Sequence, residues 1–324
     1  MNQQVQKALE AVKEREVKRV FFVACGGSSA LMYPSKYLLD REAKTITSDV
    51  YNANEFIHRN PATLGETSLV ILCSHSGKTP ETVEAAKFAR ERGALAVSLT
   101  FEEGSPLAQA SDFVIKYAKA SYSDEVVAKD SDYYIMYQLV AGLLHQKEGY
   151  EKYQPMMVSL ENLQAVYERA KQQFTERAKA FGEQYKDAKI IYTMASGSNY
   201  SAAYIFAVCI LMEMQWIHSH PIHAGEYFHG PFEVLDKDVP FILLLGLDET
   251  RPLEERALNF SRQYGEQLIV IDAKEVDLTG IDDAVKGYIA PLVLNKVLGV
   301  YATALAEARN HPLNTRRYMG IVAY

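Results

Sequence analysis

Cysteine is scarce in this chain of 324 residues: Cys25, Cys73 and Cys209 are the only three, and they stand far apart. They are too few for a disulfide framework or a zinc cluster, so reduced thiols in a cytoplasm are expected. Glycine and proline, 18 and 11 residues, are too sparse for a low-complexity chain. With 48% apolar and 23% charged residues, disordered and fibrous classes are excluded as well. Basic runs are missing. No Lys/Arg block is longer than Arg316-Arg317 and the formal net charge is −7, so neither nucleic acid nor an anionic membrane is expected as a partner. The longest apolar run, Ala202 to Met212, is closed by Glu213 and falls short of the roughly 20 residues of a bilayer span. It reads as a buried helix. Met1 to Arg15 is polar and helix-like, without the apolar core or cleavage site of a secretory signal. A soluble, cytoplasmic protein of about two domains is expected.

What is present is α/β patterning. The β-rich run Arg19 to Ala24 meets the break Cys25-Gly-Gly-Ser-Ser29, and a helical stretch follows from Ala30 to Arg41. A second unit repeats the plan: strand Ser68 to Cys73, loop Ser74-His-Ser-Gly-Lys-Thr79, helix Thr82 to Arg92, then strand Ala94 to Leu99. Short apolar strands alternating with helices imply parallel sheets covered on both faces. Tyr133 to Leu144 and Leu160 to Phe181 read as a helical connection, after which strand Lys189 to Met194, loop Ala195-Ser-Gly-Ser-Asn199 and helix Tyr200 to Met214 restate the opening pattern. One offset of 171 residues carries Gly26 to Gly197, Glu55 to Glu226, His58 to His229 and Thr79 to Thr250 without a gap. That argues for a duplicated unit. Two similar domains are expected, at 1–150 and 151–324.

Each serine-rich loop of the first half follows a strand and precedes a helix, where backbone N–H groups and the helix dipole favour a phosphate. Hydroxyl density sharpens the reading: Ser28 and Ser29 in one loop, Ser74, Ser76 and Thr79 in the other, with Gly77 allowing close approach. Ordinary turn and cap serines are the alternative. Neither a G-x-G-x-x-G after the first strand nor a G-x-x-x-x-G-K-[ST] occurs, which argues against dinucleotide and nucleoside triphosphate sites. The second copy reads Leu245-Gly-Leu-Asp-Glu-Thr250, two leucines replacing serines, so phosphate capture is expected in the first half alone.

The other dense region runs from Met212 to Glu233. His218, His220 and His223 are close in sequence, yet two fall in a strand pattern and no H-E-x-x-H appears, so no metal is expected. Glu213 ends an apolar helix, where desolvation would raise a carboxylate toward a general base's range; a helix-end glutamate facing water is the alternative. His229 precedes Gly230-Pro231, a turn that would hold an imidazole at a loop edge for acid or base work, unless it is a satisfied structural histidine. Glu226, Glu233, His220 and His223 stay open between supporting and structural roles, and Trp216 reads as core or interface.

These residues resemble the double sugar isomerase (SIS) domain family over nearly the whole chain. The family's phosphate loop stands as Ser74-His75-Ser76-Gly77-Lys78-Thr79, its upstream element as Cys25-Gly26-Gly27-Ser28, and its Gly-Glu-x-x-His-Gly-Pro signature as Gly225 to Pro231. The resemblance implies two tandem SIS domains, each a doubly wound, mainly parallel sheet flanked by helices. It implies phosphate binding by Ser28, Ser74, His75, Ser76 and Thr79, with Glu213 as the base that moves a sugar proton and His229 as the ring-opening acid. The chain is similar to the isomerase half of glucosamine-6-phosphate synthase, but it carries no glutaminase domain, and its tail, His311-Pro-Leu-Asn-Thr-Arg-Arg-Tyr-Met-Gly-Ile-Val-Ala-Tyr324, has no lysine. That tail, Met212 to Trp216 and the segment through Glu233 are more similar to the phosphorylated Amadori-product deglycases, above all those acting on 6-phosphofructose-aspartate, with the fructoselysine-6-phosphate and glucoselysine-6-phosphate deglycases as near alternatives. The implied substrate is a phosphorylated sugar-amine, cleaved without a cofactor, and the implied assembly is a homodimer with shared active sites.

Glu226 is a further candidate for substrate contact; so are Arg316 and Arg317, because a guanidinium pairs bidentately with the carboxylate of an amino acid, a solvated tail pair being the alternative for the arginines. Two other functions are compatible with these residues. One is a phosphosugar aldose–ketose isomerase using the same base, the other a non-catalytic phosphosugar-binding regulator.

Overall fold

The computed structural model describes residues 1–119 and 127–323, so Tyr324, the end of the tail, lies outside the described residues. Two compact units divide the described chain, residues 1–119 with 127–161 in the first and 162–323 in the second.

In the first unit five strands form one parallel sheet: β1 (Arg19–Ala24), β2 (Thr47–Asn52), β3 (Ser68–Cys73), β4 (Leu95–Thr100) and β5 (Phe113–Lys116), in the order β2-β1-β3-β4-β5. Every residue of β3 and β4 is buried, as expected of strands covered on both faces, and this is why Leu69 to Leu72 is continuously apolar rather than alternating. Phe21, Phe56, Val70 and Leu72 share one core cluster, with the rings of Phe21 and Phe56 5.5 Å apart. In this strand order the chain leaves β1 toward one edge and returns at β3 to build toward the other. The carboxyl ends of β1 and β3 are therefore the topological switch point, where doubly wound sheets hold ligands.

Helix Asp132–Glu148 is no mere connection. Twelve consecutive residues from Tyr133 to Leu144 are buried, so it is a core helix, started by the Ser131 hydroxyl and stopped by Gly149 at φ 67°.

The second unit repeats the plan with β6 (Tyr192–Ala195), β7 (Pro221–His223), β8 (Phe241–Leu245) and β9 (Leu268–Asp272), all parallel, in the order β7-β6-β8-β9. Read at the 171-residue offset, β6 to β9 answer β1 to β4. The expected strand from Lys189 is shorter, but Ile190 still bridges His218 in parallel ahead of it. Helix Lys286–Ala308 packs along helix Leu163–Tyr185, and a Cβ on Gly182 would come within 2.6 Å of the Ala304 carbonyl oxygen, so only glycine allows that approach. By length and composition the segment Asp283–Ala308 would suit a membrane, but 72% of its apolar window is buried inside the protein, as in a core helix.

Candidate active site

Two helices of the first unit begin at the switch point. One is Gly26–Glu42, which starts earlier than its Gly-Gly-Ser-Ser sequence suggests, so Ser28 lies in its first turn rather than in a loop. The other is Pro80–Glu91, with Thr79 before it. Neither has a side-chain cap, so their first N–H groups point out of the helix ends at the carboxyl edge of β1 and β3. Such an end attracts an anion through its dipole and its free donors.

The loop between β3 and the second helix is tightly turned. Gly77 donates its N–H to the Ser74 carbonyl at 3.0 Å and has φ +66°, and an added Cβ would stand 2.1 Å from Ser105 Oγ. Ser74 Oγ and Thr79 Oγ1 are 2.9 Å apart. Beneath the loops a polar chain ties the strand ends together: the Ser28 hydroxyl to the Cys73 thiol, Cys73 Sγ to Tyr117 OH at 4.0 Å, and Tyr117 OH to His75 Nδ1 at 3.2 Å. Burial pushes the Cys73 thiol up to about 12, so it is an inert structural group. Burial, reinforced by Lys119, lowers the pKa of His75 and keeps its imidazole neutral. Ser28, Ser74, His75 and Thr79 are thus gathered at one edge, with Ser76 in the same loop. The sequence reading missed Tyr117 and Asp132; burial raises the pKa of both, and Tyr117 acts on Cys73 through a hydrogen bond while Asp132 acts on it through charge.

The same place in the second unit is filled by the protein itself. Asp248 Oδ2 accepts the Ser198 N–H at 3.1 Å and the Ser198 hydroxyl at 2.5 Å, and its Oδ1 accepts the Thr250 N–H at 2.8 Å and the Thr250 hydroxyl at 2.6 Å. Glu254 accepts the N–H groups of Ser196 at 2.9 Å and Gly246 at 2.6 Å. Both carboxylates are buried. Neither stood among the sequence candidates.

Glu213 lies near the end of Ile205–Met214, wound as a π-helix, a geometry often found at functional sites. Its side chain is 25% exposed and pairs with Arg316, Nη2 to Oε1 at 2.9 Å. Burial raises the Glu213 pKa, and Arg316 partly opposes the rise. Arg316 Nη1 also donates to the carbonyls of Leu313 and Thr315, each at 2.9 Å. Next in sequence, the Arg317 guanidinium lies 4.2 Å from the Trp216 ring centroid, and the His311 ring stands edge-on to the indole with ring centroids 4.6 Å apart. The tail arginines are therefore not a freely solvated pair.

His229 is exposed at the end of the short turn Tyr227–His229, ahead of Gly230 at φ 134°. Its N–H is held by the carbonyl of Glu226, itself exposed. No hydrogen bond or ion pair joins His229 to Glu213 among the described residues, and no three His, Cys, Asp or Glu side chains there converge as a metal site. His223 turns its Nδ1 back to the Gly225 N–H at 3.1 Å, a structural role. An open cleft of about 770 Å³, lined in part by Lys18, Arg19, Thr47 and Lys147, sits at the amino end of β1 and β2, opposite the serine loops.

Two doubly wound parallel sheets, with hydroxyls gathered at uncapped helix starts in one copy and a half-buried carboxylate in the other, define a duplicated α/β protein. The SIS domain model matches residues 15–132 and 184–278, and the chain belongs to that family. Fructosamine deglycase FrlB of Bacillus subtilis (strain 168) is 60% identical over 324 residues, covering 100% of this chain and 98% of that protein. Fructoselysine 6-phosphate deglycase of Escherichia coli (strain K12) is 30% identical over 319 residues, covering 98% and 89%. A crystal structure from Bacillus subtilis at 60% identity superposes with a TM-score of 0.97, covering 100% of this chain and 98% of that one.

Proposed function

We propose that the chain is a deglycase of phosphorylated Amadori products, with 6-phosphofructose-aspartate as its preferred substrate. Glu213 carries the reading: a half-buried carboxylate whose pKa is raised by burial, beside a guanidinium suited to an amino-acid carboxylate. The deglycase names of two relatives support the same class of reaction.

In the proposed reaction the 6-phosphate is held by the donors of Ser28, Ser74, Ser76 and Thr79 and by the two helix starts, with His75 as a neutral neighbour. His229 opens the sugar ring. Glu213 takes the proton from C1, giving an enaminol, and returns it to C2, leaving an imine at C1. Water then adds to the imine, and the C–N bond breaks to give glucose 6-phosphate and the free amino acid. One base and one acid move every proton, so no cofactor is invoked. Arg316, Arg317 and Glu226 are the proposed contacts for the amino-acid part. The exposure of His229 supports a homodimer in which it reaches the partner's site.

The test is incubation with 6-phosphofructose-aspartate and 6-phosphofructose-lysine in parallel, following glucose 6-phosphate and free amino acid. Glu213→Gln is expected to lower turnover about 10³-fold, within the usual range for losing a general base. Interconversion of phosphosugars without amine release would establish the isomerase instead, and binding without turnover the regulator.

A further inference from the structure

We infer that the Glu213–Arg316 ion pair is a latch opened by the substrate: the carboxylate of the amino-acid part takes Arg316 and thereby frees Glu213 to act as base. The inference rests on the deglycase reading and adds a reason why that site would prefer amino-acid conjugates over other sugar amines.

The geometry carries it. As the pair stands, Glu213 is neutralised by a guanidinium 2.9 Å away, and both side chains are only about a quarter exposed, at 25% and 22%. A carboxylate held this way is a weakened base, because the cation stabilises its charged form. Guanidinium prefers a carboxylate partner and accepts one from a ligand as readily as one from the protein. Exchange conserves charge: Arg316 keeps a carboxylate, and the half-buried Glu213 is left with the desolvation that strengthens it. A conjugate of a simple amine has nothing to offer Arg316 and leaves the latch shut.

The segment bearing Arg316 is fastened to the end of the Glu213 helix. Gln215 Nε2 donates to the His311 carbonyl at 2.8 Å, Arg309 Nη2 to the Gln215 carbonyl at 3.2 Å, and Trp216, at φ 56°, contacts both Arg317 and His311. This seating is incompletely satisfied: Gln215 Oε1, Arg309 Nε and His311 Nε2 are buried without hydrogen-bond partners. Groups that forgo partners in one arrangement lower the cost of moving to another. The charged and titratable groups around Glu213 are Arg316 from the tail and Cys209 from its own helix, with His311 and Arg317 flanking Trp216 nearby. The Cys209 thiol is pushed up to about 12, mainly by burial, and stays neutral, so Arg316 alone sets the latch.

Two measurements test it. The first compares 6-phosphofructosyl-glycine with 6-phosphofructosyl-methylamine, which lacks only the carboxylate, on the intact protein and on Arg316→Gln. The intact protein is expected to favour the glycine conjugate at least about tenfold in kcat/KM, the scale of a lost charged contact. In Arg316→Gln the glycine conjugate falls while kcat for the methylamine conjugate rises, because its base is no longer held. The acid limb of the kcat/KM profile moves to higher pH in the variant, since Glu213 loses the cation that lowers its pKa. A methylamine kcat that stays level or falls overturns the latch and leaves Arg316 a plain binding residue. The second reads Trp216, the chain's single tryptophan, while free glycine or glycinamide is added with glucose 6-phosphate. A fluorescence change with glycine alone, lost in Arg316→Gln, supports the exchange, and an equal response to both overturns it. If the intact protein cleaves neither conjugate, the deglycase reading fails, while the fluorescence still decides whether a carboxylate takes Arg316.

Discussion

The helix starts after β1 and β3 and those after β6 and β8 occupy equivalent places in a repeated fold, yet they meet their need for an anion in opposite ways. In the first unit the helix starts lack side-chain caps, and hydroxyls stand around them. In the second, Asp248 and Glu254 take the backbone donors at Ser196, Ser198, Gly246 and Thr250. At the 171-residue offset, Asp248 answers to Gly77 and Glu254 to Val83, so the first unit has no carboxylate at either of those positions. The same backbone that binds a ligand's negative charge is equally content with one from the chain. A duplicated unit can therefore surrender ligand binding without losing the fold.

The sharpest test of this contrast removes hydroxyls from each copy. Ser76→Ala with Thr79→Ala is expected to lower kcat/KM for the phosphorylated substrate about 10³-fold, since hydrogen bonds to a charged group contribute ~1.5–3 kcal/mol each. Ser198→Ala with Thr250→Ala should leave the preference for phosphorylated over unphosphorylated substrate unchanged and lower stability instead. Equal loss of that preference in both double variants would break the comparison.

Removing the internal anion gives the next largest effect. Asp248→Ala orphans the N–H groups of Ser198 and Thr250, at ~1–3 kcal/mol each, while the Ser198 hydroxyl keeps the Gly287 carbonyl and the Thr250 hydroxyl keeps Ser196 Oγ, so about 3 kcal/mol of stability should go. Trp216 lies in the second unit, so its fluorescence during denaturant unfolding follows the affected part. Inorganic phosphate should restore part of the loss in Asp248→Ala beyond its effect on the unaltered protein. Were phosphate to stabilise both alike, Asp248 would be an ordinary buried carboxylate with no anion place beneath it.

Much of this was legible in the sequence. β1 and β3 have the bounds read from their apolar runs, because strands buried on both faces need such runs, and the gapless offset pointed to a duplicated α/β unit, though not to its strand order. The start of helix Gly26–Glu42 was read four residues late: Gly26, Gly27, Ser28 and Ser29 have loop propensities, and the junction with β1 overrides them. Asp248 and Glu254 escaped notice because their significance lies in donors 50 and 58 residues earlier, a spacing no local pattern carries. The Arg316–Glu213 pair was invisible for the same reason. Each residue was a candidate, but the sequence offered Arg316 to the substrate and could not show that Glu213 already holds it.

Glu254 offers the mildest way to sharpen the comparison. Burial pushes its carboxyl up to about 7, against the two backbone N–H groups that favour the ionised form. In the unfolded chain it titrates near the ordinary glutamate value, so between that value and about 7 the folded state holds the extra proton. Stability from this group is therefore greatest below the unfolded value and falls as pH rises through 7, by no more than about 3 kcal/mol. Glu254→Gln, which resembles the protonated acid, removes that pH dependence. The stability advantage of the natural glutamate over glutamine should accordingly shrink between pH 5 and pH 8, read by Trp216 unfolding at each pH. A difference that holds constant would mean the two N–H groups keep Glu254 ionised in the folded state, making it a second resident anion as complete as Asp248.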